Sequence, residues 1–292
     1  MKSVVKGFVG IWVLWCLSAS VGCRTAGGET VIAERQSPFN TVYVVEDAHG
    51  FRRLRFERHG VDQSAVKLGD PDHIEFAYIK QLTNAFALRP GASRVLFIGL
   101  GGGTFPAFVR RHLPAAEMDV VELDPVVVDF ATEFMGFSPD GDLRIHVGDG
   151  RAFVENTLET WDVIVLDAYG IDNIPYALAT QQFLAAVRAR LAPGGLVVAN
   201  LWGEAVSPLF PSMLVTYEAV FAETHVIASQ GSNSRVVLAF PEVERLASTR
   251  LVAAATELRR AWGLRFDLAR SVEDGYLPRS AWPRGGHVLV DE

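Results

Sequence analysis

The stretch from Arg94 to Thr104, RVLFIGLGGGT, constrains this chain more than any other. Val95 to Ile98 and Leu100 form a short apolar run, which is how a strand buried on both faces reads. Gly99 and Gly101 to Gly103 follow at once. Without a Cβ they let the backbone turn sharply and approach a ligand closely. Thr104 is expected to cap a helix over PAFVRRHL. Strand, glycine turn and helix N-terminus together are the nucleotide-binding opening of a doubly wound α/β domain.

The chain downstream keeps that rhythm. MDVVEL, LRIHVG, WDVIVLD and LVVANL read as strands, separated by helical PVVVDFATEFM, RAFVENTL and TQQFLAAVRARL. This alternation implies a mostly parallel sheet. THVIAS and SRVVLAF follow helical PLFPSMLVTYEAVF with no helix between them, and so predict an antiparallel closing hairpin. Upstream, TVYVVED, FRRLRFE and VDQSAV are joined by short breaks at Ala48–Gly50 and His59–Gly60 and predict a small antiparallel β unit. A helix is expected over HIEFAYIKQLTNAF, and another over about 243–262; the segment 271–292 has no clear assignment. The expected division is 1–23 leader, 24–36 linker, 37–70 β unit, 71–241 nucleoside-binding domain, and 242–292 C-terminal helix and tail.

Hydrophobic residues make up 49% of the 292 and charged residues 21%, so the chain can bury a core. A net charge of −7 with no basic stripe argues against non-specific nucleic-acid binding and is compatible with a cationic substrate. Cys16 and Cys23 are the only cysteines. Their position excludes a disulfide framework, a cysteine metal site and a cysteine nucleophile in the folded domain. His59, His73, His112, His146 and His225 share no metal-ligand spacing, and no metal is expected. In residues 1–23, Lys2 and Lys6 precede an apolar core from Gly7 to Leu17, as in a secretory signal peptide. Ser20 to Cys23 loosely resembles a lipoprotein cleavage box with Cys23 lipidated. The alternatives are an uncleaved anchor, or a mis-assigned start codon on a cytoplasmic protein. Export or anchoring is the expectation, with contact to a membrane only through this leader.

Three acids end successive strands, where ligands bind in such sheets. Glu122 lies 23 residues beyond Gly99, the spacing of a carboxylate that accepts ribose hydroxyls. Asp149 with Gly150 suits an adenine, and Asp167 faces the mouth of the cleft. Any one of them alone reads as a helix N-cap; the three in register with a glycine turn read as a nucleoside pocket. A nicotinamide site fits less well, because Thr104 follows where G-x-G-x-x-G needs its third glycine.

VLFIGLGGGT, VVELDP, GDGRAFV and WDVIVLDAY, in this order, resemble the polyamine aminopropyltransferase (spermidine synthase) family, and SPFNTVYVVED, QSAV and EFAYIKQL resemble its N-terminal unit. The resemblance covers about Ser37 to Phe240. It implies a class I methyltransferase-like (Rossmann-like) sheet that binds decarboxylated S-adenosylmethionine and transfers an aminopropyl group to an amine such as putrescine. By the same resemblance Glu122 holds the ribose, Asp149 and Gly150 the adenine, and Gly99 and Gly101 pass under the sulfonium chain, with Asn40 also on the donor. Asp167 would orient and deprotonate the attacking amine, and Gln63, Tyr78, Tyr169 and Asp172 would contact it. A homodimer is plausible by the same resemblance. The chain departs from the family at Gly102, where an Asp grips the donor's amine, and at Gly170, where a second Asp is usual; Asp172 is a substitute. Ile79 and Lys80 replace a His or Gln and an acid, and Asn40 stands for a Gln. The D-x-I-P-x-x-L-x-T form of 172–180 resembles the branch often fused to membrane segments. Three functions stay open: aminopropyl transfer with an altered acceptor range, methyl transfer from S-adenosylmethionine on the same fold, and nucleoside binding without catalysis.

Overall fold

In a computed structural model, residues 28–170 and 174–292 are described; the leader, Cys23 and Asp172 lie outside them. Four antiparallel strands come first: β1 (Thr30–Gln36), β2 (Thr41–Glu46), β3 (Phe51–Arg55) and β4 (Asp62–Lys67), in sheet order β1-β2-β3-β4. The expected linker over 24–36 is corrected here, since residues 30–36 are an edge strand paired with β2 from Thr30↔Glu46 to Gln36↔Thr41. TVIAERQ carries little apolar signal because one side of this strand has no strand neighbour. The β2–β3 turn is closed by Asp47, whose carboxylate accepts the amides of His49 and Phe51.

An eight-stranded sheet follows, built from β5 (Arg94–Ile98), β6 (Glu117–Glu122), β7 (Leu143–Val147), β8 (Trp161–Leu166), β9 (Leu191–Trp202), β10 (Glu223–Ala228), β11 (Ser234–Phe240) and β12 (Tyr276–Leu277). Its order is β12-β10-β11-β9-β8-β5-β6-β7. The strands from β7 to β9 run parallel, and β11, β10 and β12 close the sheet in antiparallel fashion. The expected fold class is thus the observed one.

Period-two alternation along the strands feeds two cores. Val95, Phe97, Val120, Val163, Val198 and Leu238 pack on one face against α1 (Ala77–Leu82), α2 (Asn84–Leu88), α3 (Thr104–His112), α8 (Ser248–Trp262) and α9 (Leu268–Gly275). Leu96, Ile98, Ile164, Val197 and Val237 pack on the other against α5 (Gly150–Asn156), α6 (Gln181–Ala189) and α7 (Phe210–Val220). A third, smaller core joins the two sheets: Val42, Val44 and Leu54 meet Val127, Phe130 and Met135 of and beside α4 (Pro125–Glu133). The antiparallel unit is therefore seated on the α/β domain.

Three local expectations change. The helix expected over 73–86 starts at Ala77 and breaks at Thr83, whose hydroxyl donates to the Lys80 carbonyl while the Asn84 amide donates to that of Gln81. Such side-chain bonds compete with the helical ladder. Thr104 is not the cap of α3; Gly103 is, at φ +72°, and the Thr104 hydroxyl donates instead to the Ala65 carbonyl of β4. The tail adds α9 and β12 and ends in an extended segment that buries Leu289.

Candidate active site at the carboxyl ends of the strands

The order of strands reverses between β5 and β8, and in sheets of this kind ligands bind beyond the carboxyl ends at such a reversal. Backbone bonds tie the strand ends together: Gly99 N–H donates to the Val121 carbonyl, and Asp167 N–H to that of Ile98, both at 2.9 Å. Gly99 sits at φ +102°, and a Cβ there would lie 2.2 Å from the Asp167 carbonyl oxygen. Its glycine is thus required by the approach of Asp167, a reason that differs from the expected passage under a ligand chain. Gly150 behaves similarly, since a Cβ would meet Ile98 Cγ2 at 2.6 Å. The glycine serves helix-to-strand packing at the place where an adenine was expected.

Asp167 stands at the centre of a polar cluster. Asn200 Nδ2, from the end of β9, donates to its Oδ1 at 3.0 Å, and the Tyr78 hydroxyl from α1 donates to the same carboxylate. Burial pushes this carboxyl up to about 6, and the bonds from Asn200 and Tyr78 hold it from rising further. Burial and the Asp167 charge push the Tyr78 hydroxyl well above its ordinary value. Tyr169 donates to the Asn200 carbonyl at 2.7 Å and stacks on Trp202, ring centres 4.9 Å apart. Phe76 stacks on Tyr78 at 5.8 Å. Asp167 therefore lies among aromatic rings contributed by two distant parts of the chain. Asn200 Oδ1 is buried and has no partner among the described residues, an acceptor left open beside the carboxylate.

Glu122 organises the glycine turn. Its carboxylate accepts Leu100 N–H and Asp124 N–H at 3.0 Å each, with Gly101 N–H as a third donor. Burial raises its pKa and these amides oppose the rise. Asp124 caps α4 through Val126 N–H and accepts the Ser37 hydroxyl at 2.5 Å; that hydroxyl in turn accepts Asn40 N–H. The turn carrying Asn40 is thereby brought to the Glu122 end of the sheet. Asp149 is the N-cap of α5, its carboxylate accepting Ala152 N–H at 2.7 Å, and it remains exposed.

The antiparallel unit completes the site through β4. Ser64 and the Gln63 backbone lie against the turn: a Cβ on Gly101 would stand 3.4 Å from Ser64 Cβ and 4.0 Å from the Gln63 carbonyl. A Cβ on Gly102 would meet Ser64 Oγ at 2.7 Å and Met135 Cε at 2.8 Å. A larger residue at 102 has no room unless these side chains move. Lys80 lies about 200° around α1 from Tyr78. Its ammonium sits over the Phe266 ring at 5.8 Å, and Ile79 is buried in the core. Neither residue shares the Asp167 cluster with Tyr78. Asp172 lies outside the described residues. Asn200, Ser64 and Trp202 are the site residues that sequence reasoning missed. Asn200 had a legible signal, as the one polar residue in LVVANL at a strand's carboxyl end. Ser64 and Trp202 had none. Among the described residues no group of three His, Cys, Asp or Glu could hold a metal ion, and no helix is long and apolar enough to cross a membrane.

A sequence profile of the spermine/spermidine synthase domain matches residues 75–225, which span the helix of Tyr78, the glycine turn, Glu122 and Asp167. The chain belongs to this family. It is 33% identical over 219 residues to a polyamine aminopropyltransferase of Vibrio vulnificus, covering 73% of this chain and 72% of that one. A solved structure of a probable spermidine synthase from Corynebacterium glutamicum superposes with a TM-score of 0.67 at 25% identity, over 78% of this chain and 86% of that one. Human methyltransferase-like protein 13, solved with S-adenosylhomocysteine, superposes with a TM-score of 0.55 at 29% identity, over 64% and 89%. The chain spans less than half the length of the curated methyltransferases it also matches. Both groups of relatives are transferases built on this fold, and the chain is a transferase of the spermine/spermidine synthase domain family.

Proposed function

We propose that this chain moves an aminopropyl group from decarboxylated S-adenosylmethionine to an amine of the putrescine type. The observation that carries the reading is Asp167, a half-buried carboxylate beside the glycine turn whose pKa is pushed up to about 6 by desolvation, bonded to Tyr78 and Asn200. An acid with that pKa is ionised at neutral pH yet basic enough to take a proton from an ammonium entering attack. In this reading Asp167 accepts that proton and the open Asn200 Oδ1 accepts a second amine hydrogen. The nitrogen lone pair then forms the C–N bond as the C–S electrons return to sulfur, leaving a neutral thioether. Glu122 is the ribose acceptor, and the rings of Tyr78, Tyr169 and Trp202 exclude water from the attacking nitrogen. Alignment supplies most of the rate in such a single displacement.

Incubation with mass-resolved donor and putrescine tests it: thioadenosine and spermidine are expected together. Adenosylhomocysteine from S-adenosylmethionine would instead establish methyl transfer, and neither product would establish binding alone. Methyl transfer is the second reading. It is favoured by the crowding of Gly102 against Ser64 and Met135, which leaves no carboxylate there for a donor amine, and by the relative solved with S-adenosylhomocysteine. We further propose export or membrane anchoring through residues 1–23, which cell fractionation would test, and a homodimer, which sedimentation would test.

A further inference from the structure

The last residues of the chain end at the candidate site by a defined route. Gly286 lies so close to α7 that a Cβ on it would stand 2.3 Å from the Pro211 carbonyl. His287 N–H donates to Ser212 Oγ and Leu289 N–H to Thr216 Oγ1, while the Leu289 side chain is buried in the core under α6 and α7. The Leu289 carbonyl then accepts Gln181 N–H at 2.7 Å, and the Val290 carbonyl accepts the Tyr176 hydroxyl at 3.0 Å. Asp291 closes the path with a two-pronged pair to Arg151, at 2.7 and 2.5 Å. Paired bonds of this kind between a guanidinium and a carboxylate fix orientation as well as distance.

Arg151 is the residue after Gly150, in the first turn of α5. Besides Asp291 it holds Glu155 at 2.7 Å on its own helix and the Ala177 carbonyl at 3.2 Å. Ala177 belongs to the short 3-10 turn Tyr176–Leu178, in the connection that leaves Asp167 and enters α6. One guanidinium therefore joins three segments: the Asp149–Gly150 corner, the connection beyond Asp167, and the C-terminal strap. Arg151 and Asp291 are one-fifth and one-third exposed, so the pair is partly shielded from solvent. Its geometry is matched by the low pKa of Asp291, held at about 2 chiefly by Arg151.

We propose that Arg151 and Asp291 are positioning residues: the C-terminal strap, acting through Arg151, holds the Asp149–Gly150 corner and the Tyr176–Leu178 turn in the arrangement that binds the donor's nucleoside. The proposal rests on the nucleoside reading of the site, and it also predicts a property of the unliganded protein. With the strap released, both segments gain freedom that nucleoside binding must then remove. Thr216, Ser212 and the buried Leu289 keep the rest of the strap in place, so the fold survives.

The test uses the full chain with Asp291→Asn and Asp291→Glu. Amide hydrogen exchange reads the free protein, calorimetry reads S-adenosylhomocysteine and methylthioadenosine binding, and thermal melting reads stability. Asp291→Asn is expected to speed exchange in 150–156 and 176–182. It should weaken nucleoside binding by about three- to thirtyfold, as for a residue that couples to a site without touching the ligand. The melting temperature should stay close to wild type, donor KM should rise with kcat nearly unchanged, and Asp291→Glu should recover most of the loss. Unchanged exchange in both segments overturns the proposal, as does a lowered melting temperature with unchanged nucleoside affinity. Failure of the wild-type protein to bind either nucleoside would refute the functional reading, whereas the exchange result judges the strap in either case.

Discussion

Replacing Asp167 by Asn tests the electrostatics of the site in two independent ways. Burial raises this carboxyl from an ordinary 3.8 to about 6. At about 1.4 kcal/mol for each pKa unit, the folded protein carries about 3 kcal/mol of cost for holding the charged form. The folded state binds the proton more tightly than the unfolded state. The cost is therefore absent below about pH 4, grows as pH rises towards 6, and is complete above it. Asn carries no charge, so Asp167→Asn escapes the cost and should gain stability relative to wild type as pH rises from 4 to 8. Urea unfolding at pH 4.5 and 8 reads the difference, and contributions from the other carboxylates cancel between the two proteins. About 1 kcal/mol of the cost is already present at pH 4.5, so the expected gain across that interval is about 2 kcal/mol. Activity moves the opposite way: kcat/KM should fall by about 10²–10⁴, the usual loss for a general base, and the acidic limb near pH 6 should vanish. A stability difference that is the same at both pH values would refute the assignment of the raised pKa to burial of Asp167. Retained turnover would remove Asp167 from the chemistry.

Tyr78→Phe removes a bond that favours ionised Asp167, so the acidic limb of kcat/KM should move above pH 6; a limb that stays or moves lower would contradict the hydrogen bond. Gly99→Ala places a methyl group 2.2 Å from the Asp167 carbonyl in left-handed backbone, and should cost more than about 2 kcal/mol in urea unfolding while lowering activity. Gly102→Asp alone should destabilise by about 1–3 kcal/mol through overpacking against Ser64 and Met135, and Ser64→Gly in the same chain should recover part of it. Additive costs in that double variant would show that Ser64 does not set the space at 102.

Much of the fold was legible because it is written in local patterns. The apolar runs at 95–98, 163–166 and 196–199, with helical spacing between them, specify a parallel sheet, and the missing helix between 228 and 234 specifies its antiparallel end. Glu122, Asp149 and Asp167 were found from their place after strands, and all three lie at carboxyl ends. What local pattern could not supply was the reason for each residue. Gly99 and Gly150 read as ligand clearance, and the structure adds a second reason for each: they make room for Asp167 and Ile98. Lys80 read as a basic replacement in the amine site, yet helical geometry turns it from Tyr78 to Phe266.

By itself the sequence determined the class of sheet, the position of the glycine turn and the acids set around it, because strand period and turn chemistry act over a few residues. Tertiary structure alone decided which groups surround Asp167. Tyr78, Asn200 and Tyr169 come from α1, β9 and the connection after β8, and converge only once the sheet order reverses at β5. It also decided the raised pKa, since desolvation depends on everything packed around a group and on nothing in its own segment. The strap from Gly286 to Asp291 was invisible for the same reason: its partners on α5, α6 and α7 lie 73 to 140 residues away in the chain.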